Sequence, residues 1–252
     1  MLLVKIKKMI TKMPSSLMLV LFLTTTSMNS AHSSEDDPLE PINRAVFGFN
    51  EVIDDVVLEP VAKGYKYVTP DPIEDSVSNF FNNLGEINTI INSTLQLKFD
   101  KTLSASGRLV INSTFGVLGL FDVATKMGIE KHNEDFGQTL GYYGIPSGPY
   151  LVLPFFGPSS FRDAPSFFVD IQMEKEISPV HTELHHEERQ VIQATNVIDT
   201  RANLLQATKI LDTAAKDKYI FLRESYLQKR AKMITDGKDI QEFEIDVLEI
   251  NY

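Results

Sequence analysis

The chain has 252 residues and no cysteine. No disulfide can brace it, no thiol can act as a nucleophile or carry a lipid anchor, and an exported form must rely on packing alone. Basic residues are also scarce, with 24 Lys and Arg against 34 Asp and Glu and a net charge of −10. That balance disfavours nucleic acid and any purely electrostatic hold on anionic lipid headgroups. The apolar run Leu17-Met18-Leu19-Val20-Leu21-Phe22-Leu23 is far shorter than the roughly 20 residues of a membrane-spanning helix. Gly-x-Ser-x-Gly, Gly-x-Gly-x-x-Gly and the phosphate-binding loop are all missing, as are internal repeats and low-complexity tracts. Contact with a membrane, if the chain makes any, has to be hydrophobic.

The start of the chain reads as an export leader. Lys5, Lys7, Lys8 and Lys12 precede the apolar run, and small residues follow it up to Ser34. Residues 1–33 are therefore expected to be a cleaved signal peptide, cut after Ala31 or Ser33. Its removal takes four lysines and no acids, leaving a mature chain near −14. One domain is expected over residues 34–235, followed by an acidic mobile tail at 236–252.

Residues 136–165 fit neither an ordinary helix nor an ordinary strand. Glycines and prolines punctuate them, yet Tyr142, Tyr143, Ile145, Tyr150, Leu151, Val152, Leu153, Phe155 and Phe156 lie between. A loop with fixed bends and this much apolar surface needs an apolar neighbour, whether core, partner or lipid.

Around that stretch the periodicity predicts an all-α, mainly helical, fold. Ile42, Ala45, Val46, Phe49, Val52, Ile53 and Val56 form an apolar stripe, with Asn43 and Asn50 on the other face. A short helix follows at 60–67. Asp71 is expected to cap the next, with Pro72 in its first turn and Gly85 at its end. Another is predicted at 86–99, with Ile87, Ile90, Ile91, Thr94 and Leu95 inward. The thinly charged pattern from 100 to 127 belongs in protein or in the apolar layer of a membrane interface. Asn133 and then Ser159 or Ser160 are expected helix caps. Residues 152–156 could be extended, but no partner strand is visible. Helices at about 182–211 and 213–234 complete a C-terminal hairpin.

Candidate chemistry is sparse. His181 and His185 stand one helical turn apart, as metal-binding pairs do, but the charge-rich surroundings read as a solvated helix start. Ser159 and Ser160 near Arg162 and Asp163, and His132 near Asp135, are better explained by capping than by catalysis. No enzyme activity, cofactor or metal is expected.

Several separated motifs resemble one family. Asp37-Pro38-Leu39-Glu40-Pro41-Ile42-Asn43-Arg44, Phe47-Gly48-Phe49-Asn50, Ser78-Asn79-Phe80, Phe136-Gly137-Gln138-Thr139-Leu140-Gly141, Gly148-Pro149-Tyr150, Leu153-Pro154, Arg162-Asp163 and Arg223-Glu224-Ser225-Tyr226 occur in the order seen in the MlaA (VacJ) family of outer-membrane lipid-asymmetry proteins. The resemblance implies a ring-like, multi-helix single domain with the Gly/Pro-rich loop at an amphipathic channel. It implies phospholipid as cargo, a porin trimer and a soluble periplasmic lipid carrier as partners, and a place at the outer membrane or in the periplasm of a Gram-negative envelope. Carried over by position, Asn79 and Phe80 would gate the channel, and Tyr142, Tyr143, Gly144, Gly148, Pro149, Tyr150, Leu153 and Pro154 would border it. Family members are typically lipoproteins whose first mature residue is a lipidated cysteine, from which this chain departs. A periplasmic phospholipase and a porin-associated scaffold are the alternatives.

Overall fold

A helical rod opens the fold. The computed structural model describes residues 37–237 apart from 179, 181 and 182. The expected leader, His181 and all but the first two residues of the expected tail lie outside the described residues. Helix α1 (Glu40–Ile53) starts with Pro41, whose missing N–H costs nothing in a first turn. It runs through a π-helical turn (Asp54–Leu58) into α2 (Glu59–Val68). Pro60 sits just past that turn, and the wider winding accommodates a residue that cannot donate to the preceding turn.

The next helix, α3, is Asp71–Leu95, without a break. Gly85 does not end it as its sequence suggests, because Asn83, Glu86 and Ile87 on either side are all buried. Burying these costs less when the helix is continuous, which outweighs the roughly 1 kcal/mol a mid-helix glycine costs. Asp71 is the first helical residue rather than a side-chain cap. Helix α4 (Phe99–Thr114) packs back along α3, and the one-turn α5 (Val123–Lys126) follows a tight loop. Helix α6 (Phe136–Tyr142) is capped by Asp135, not Asn133, with its side chain accepting from the Gln138 N–H at 2.8 Å.

The expected absence of a sheet needs correction. Strands β1 (Tyr150–Leu153) and β2 (Gly157–Ser160) form an antiparallel hairpin, with Tyr150 opposite Ser160 and Leu153 opposite Gly157. The sequence Gly-Pro-Ser-Ser of β2 has no strand preference, so nothing in it announces a partner. The tip turns through Phe155 at φ 67° and Gly157 at φ 76°. Two asparagines of α1 hold β1. Asn43 donates to the Tyr150 carbonyl at 3.0 Å and accepts from the Val152 N–H at 2.9 Å. Seven residues on, Asn50 donates to the Leu153 carbonyl at 2.9 Å and accepts from the Phe155 N–H at 2.8 Å. Each side-chain amide stands in for the peptide group of a third strand.

Helix α7 (Asp163–Ile177) leaves the hairpin directly, and α8 (His186–Ala214) and α9 (Lys218–Ile234) form the C-terminal pair. Ser160 supports the start of α7 by accepting from the Asp163 N–H at 3.1 Å. The elements close a circuit. The rod meets the hairpin through Asn43, and the hairpin continues into α7. Asp170 of α7 takes a hydrogen bond from Asn92 of α3 at 3.1 Å. Ser78 of α3 donates to Asp199 of α8 at 2.8 Å, and Arg201 of α8 reaches Asp54 of the rod at 2.6 Å.

The partition of side chains is inverted. Among the described residues, buried polar and charged side chains outnumber buried hydrophobic ones, and several of the latter are alanines. Arg108 is 1% exposed, whereas Leu103 is 73% and Phe115 76% exposed. The stripe of α1 expected to face a core, with Ile42, Phe49, Val52 and Val56, faces outward, and Asn43 faces in. Leu95, expected to point inward, is exposed, while Ile87 is buried.

Replacing Asn43 with Ala strands two buried backbone groups of β1. A loss of about 2–4 kcal/mol in chemical unfolding is expected, with a smaller loss for Asn50→Ala at the exposed tip. Wild-type stability in Asn43→Ala would refute the clasp.

Candidate functional site

The Gly/Pro-rich stretch divides into a locked half and a bent half. The locked half is α6. Gly137 and Gly141, four apart, leave one helix face bare, and charged side chains lie directly on it. A Cβ on Gly137 would come within 2.5 Å of Arg230 and of Asp163, and one on Gly141 within 2.8 Å of Ile234. Arg230 of α9 bonds Asp163 at 3.0 Å and Asp135 at 2.9 Å, and the Tyr226 hydroxyl donates to Asp163 at 2.6 Å. These donors, with Arg162, hold the Asp163 carboxyl down at about 2 against the opposing effect of burial. The Arg230 guanidinium is correspondingly raised, after its burial is offset by two carboxylates.

Asp170 behaves in the opposite way. It accepts the Phe136 N–H at 3.0 Å and the Asn92 amide, but among the described residues no cation lies within salt-bridge distance, and Arg230 acts on it only from further off. Burial pushes its carboxyl up to about 7, and the negative Asp135 adds to the effect.

The bent half runs from Tyr142 to the hairpin. Tyr142 and Tyr143 are exposed and meet edge to face at 5.3 Å. The Tyr143 hydroxyl donates to the Leu95 carbonyl at 2.6 Å, and the Lys98 ammonium stands 5.2 Å over the Tyr142 ring. Gly144 and Gly148 take positive φ, and Pro149 leads into β1. Leu153 and Pro154 begin the tip, where Phe155 and Phe156 are exposed. Tyr150 stands apart from the others. It is 5% exposed, between Tyr219 and Tyr226 at 6.0 and 5.9 Å, and packs the core.

Asn79 and Phe80 sit on α3, and Asn79 reaches a different loop. The Asn79 amide points at the Leu120 carbonyl at 3.4 Å, and Phe80 packs on Phe81 at 5.4 Å. The loop 115–121 reads Phe-Gly-Val-Leu-Gly-Leu-Phe, with Val117 at φ 52° and Leu118 at φ 58°. A β-branched residue in the left-handed region is strained, and here the strain holds five apolar side chains outward. Asp122 behind the loop is locked by Arg108 at 2.9 Å and Asn112 at 3.1 Å, and Arg108 also bonds the buried Glu86 at 2.7 Å.

The hydrolase candidates are not assembled. The Ser160 hydroxyl is fully buried at the start of α7, and the carboxylate beside His132 is Glu130 at 4.0 Å. His185 forms a capping box with Glu188 at the start of α8. Of the acidic trio Asp54, Asp55 and Glu59, two face Arg201, which balances them.

The sequence places Asn43 and Asn50 on the polar face of α1 but does not announce their role; two turns apart, they form a polar stripe at core spacing. The pairs Arg230 with Asp135 and Asp163, and Arg201 with Asp54, are separated too far along the chain to leave a local signal.

The sequence profile of the MlaA lipoprotein family matches residues 35–233. The chain belongs to this family. It is 32% identical over 227 residues to the intermembrane phospholipid transport system lipoprotein MlaA of Escherichia coli, covering 86% of this chain and 88% of that one. The Haemophilus influenzae protein of the same name is 32% identical over 213 residues, 83% of each chain. A Rickettsia typhi protein without an assigned function is 37% identical over 194 residues, 77% of this chain and 76% of its own. A solved structure reported as the structural basis for maintenance of bacterial outer membrane lipid asymmetry superposes with a TM-score of 0.68 at 31% identity. It covers 79% of this chain and 100% of its own. The helical MlaA fold is thus established.

Two variants test the locked half. Gly137→Ala pushes a methyl into the Arg230–Asp163 contact and should cost about 1–3 kcal/mol in unfolding; a neutral effect would mean α9 does not dock there. Asp170, raised to about 7 when folded and near 4 when unfolded, contributes stability that is complete below pH 4 and lost as the pH rises through 7. Asp170→Asn should flatten the decline in stability between pH 5 and 7, and an unchanged slope would remove Asp170 as its source.

Proposed function

We propose that this protein takes phospholipid mislocalised in the outer leaflet of an outer membrane, passes it through an amphipathic passage, and delivers it to a soluble periplasmic carrier while docked to a porin trimer. The observation that carries this is the inverted partition. A fold with paired charges inside and exposed Phe, Leu and Val outside suits an apolar surrounding rather than water. Among the described residues no helix is long and apolar enough to cross a membrane. A fold lying within one leaflet reconciles these two facts, with its rim among acyl chains.

Transport then follows from matching of media. A headgroup moving along polar side chains and acyl chains moving along apolar ones cross a boundary without either being stranded. No bond has to break. Asn79, on the strained 115–121 loop, and its neighbour Phe80 are the proposed gate. Tyr142, Tyr143, Gly144, Gly148, Pro149, Leu153 and Pro154 form the proposed border of the passage, and Tyr150 anchors that border to α9. The names of the Escherichia coli and Haemophilus influenzae relatives support phospholipid as cargo.

Deleting the gene should raise the phospholipid exposed on the cell surface, as read by labelling of intact cells. The wild-type gene should restore the low level, and a Phe80→Ala copy should not. Surface phospholipid that is unchanged by deletion would rule transport out, and normal rescue by Phe80→Ala would remove the gate. Release of the mature protein from membranes by mild salt would sink the embedded position.

A further inference from the structure

Where α3 and α8 meet there is a cavity of about 340 Å³, large enough for a polar group of several atoms rather than one water. Its polar walls are Ser78 and Asn82 of α3 with Asn196, Asp199, Thr200 and Asn203 of α8. Phe81 and Leu204 stand at its edge, and Leu204 is exposed.

Asp199 is the unusual member. It is buried at 3% exposure, yet its hydrogen-bond donors are all neutral: Tyr65 at 3.3 Å, Ser78 at 2.8 Å and Asn203 at 3.3 Å. Among the described residues no cation lies within salt-bridge distance. The nearby cations are committed elsewhere, Lys66 to Glu74 at 3.0 Å and Arg201 to Asp54 at 2.6 Å. A carboxylate removed from water without a counter-charge is costly, and burial pushes this one up, aided by the negative Glu74. Buried carboxylates are normally matched by a cation, and here the side left open to receive one is the cavity. The walls supply amide and hydroxyl donors for phosphate oxygens but no lysine or arginine. An anion without an amine would meet only the repulsion of Asp199.

We propose that this cavity binds a primary-amine phosphate headgroup, with the ammonium on Asp199, the phosphate on the Asn82 and Asn196 amides, and the glycerol end leaving past Phe81 and Leu204. This rests on phospholipid being the cargo and gives the site a preference for amine-bearing zwitterionic lipids over anionic ones.

The test uses the purified full chain in detergent with three probes: short-chain phosphatidylethanolamine, the matching phosphatidylglycerol, and deacylated glycerophosphoethanolamine. Binding of the ethanolamine lipid should exceed that of the glycerol lipid about tenfold, the size of one charge-assisted contact. Asp199→Asn keeps the volume and an acceptor for Tyr65 and Ser78, and should erase the preference from both sides, weakening phosphatidylethanolamine binding and, with the repulsion gone, strengthening that of phosphatidylglycerol. Asn196→Lys, at an exposed position, places an ammonium beside Asp199 and should erase it as well. Equal binding of the deacylated probe, lost in Asp199→Asn, would support the amine site with the free headgroup as its source. Equal binding of both lipids by the wild type, or a preference that survives Asp199→Asn, overturns the inference while phospholipid binding stands. Failure of both lipids to bind overturns the cargo assignment and the inference together.

Discussion

A buried charge must find its partner, and in this fold that requirement sets the arrangement of the helices. Removing one partner from a buried ion pair costs about 3–5 kcal/mol, while turning an apolar stripe toward an apolar surrounding costs nothing. The register of α3 against α4 is therefore decided by Arg108 with Glu86 and Asp122, not by the leucines and valines of α4. The same holds for the rod against α8 through Arg201 and Asp54, and for α6 against α9 through Arg230 with Asp135 and Asp163. Small residues accompany these pairs because long polar side chains need helices or loops with room beside them. Ala62, Ala105, Ala124 and Ala202, all nearly inaccessible, fill the places where a leucine would stand in a water-soluble bundle.

That exchange of roles explains what could be read from the sequence and what could not. Helix positions follow from periodicity, and periodicity is the same whichever face is buried. The mainly helical fold and the C-terminal pair were therefore legible, while the helix end expected at Gly85 and the caps expected at Asp71 and Asn133 were not. Direction was not, because the polar faces carry the groups that pair with one another inside, and periodicity does not say which face is buried. Ile42, Leu95 and Leu103 point outward for the same reason that Asn43, Asn92 and Asn112 point inward. Hairpin pairing was hidden by a different cause. Strand β1 completes its hydrogen bonds on one side with Gly-Pro-Ser-Ser and on the other with the side chains of a helix. Neither partner resembles a strand in composition.

The stretch 136–165 owes its composition to both demands at once. In its first half glycine is there for closeness, since Arg230 and Ile234 occupy the space a Cβ would need. In its second half Gly157 is there for direction, closing a tip that Phe155 has already turned into the left-handed region. A uniform series of hinges would give neither effect. What results is an anchored base, with Asp163 taking bonds from Arg162, Tyr226 and Arg230, and an aromatic tip carried outward on a short hairpin.

The strained loop at 115–121 extends the same logic to the other side of α3. Placing Val117 and Leu118 in the left-handed region is of the order of 1–3 kcal/mol unfavourable for each, and in water nothing about their exposure would offset it. Their backbone is held from within, by the Asn112 carbonyl accepting from the Gly119 N–H and by Asn83 packed where a Gly119 side chain would be. Polar groups of the interior thus force apolar side chains outward. An apolar medium receiving Phe115, Leu118 and Phe121 would offset the strain by about 1.5–3 kcal/mol per side chain buried. By that comparison the loop gains stability where the interior pairs have aimed it, and the gate candidates Asn79 and Phe80 lie where interior and exterior meet.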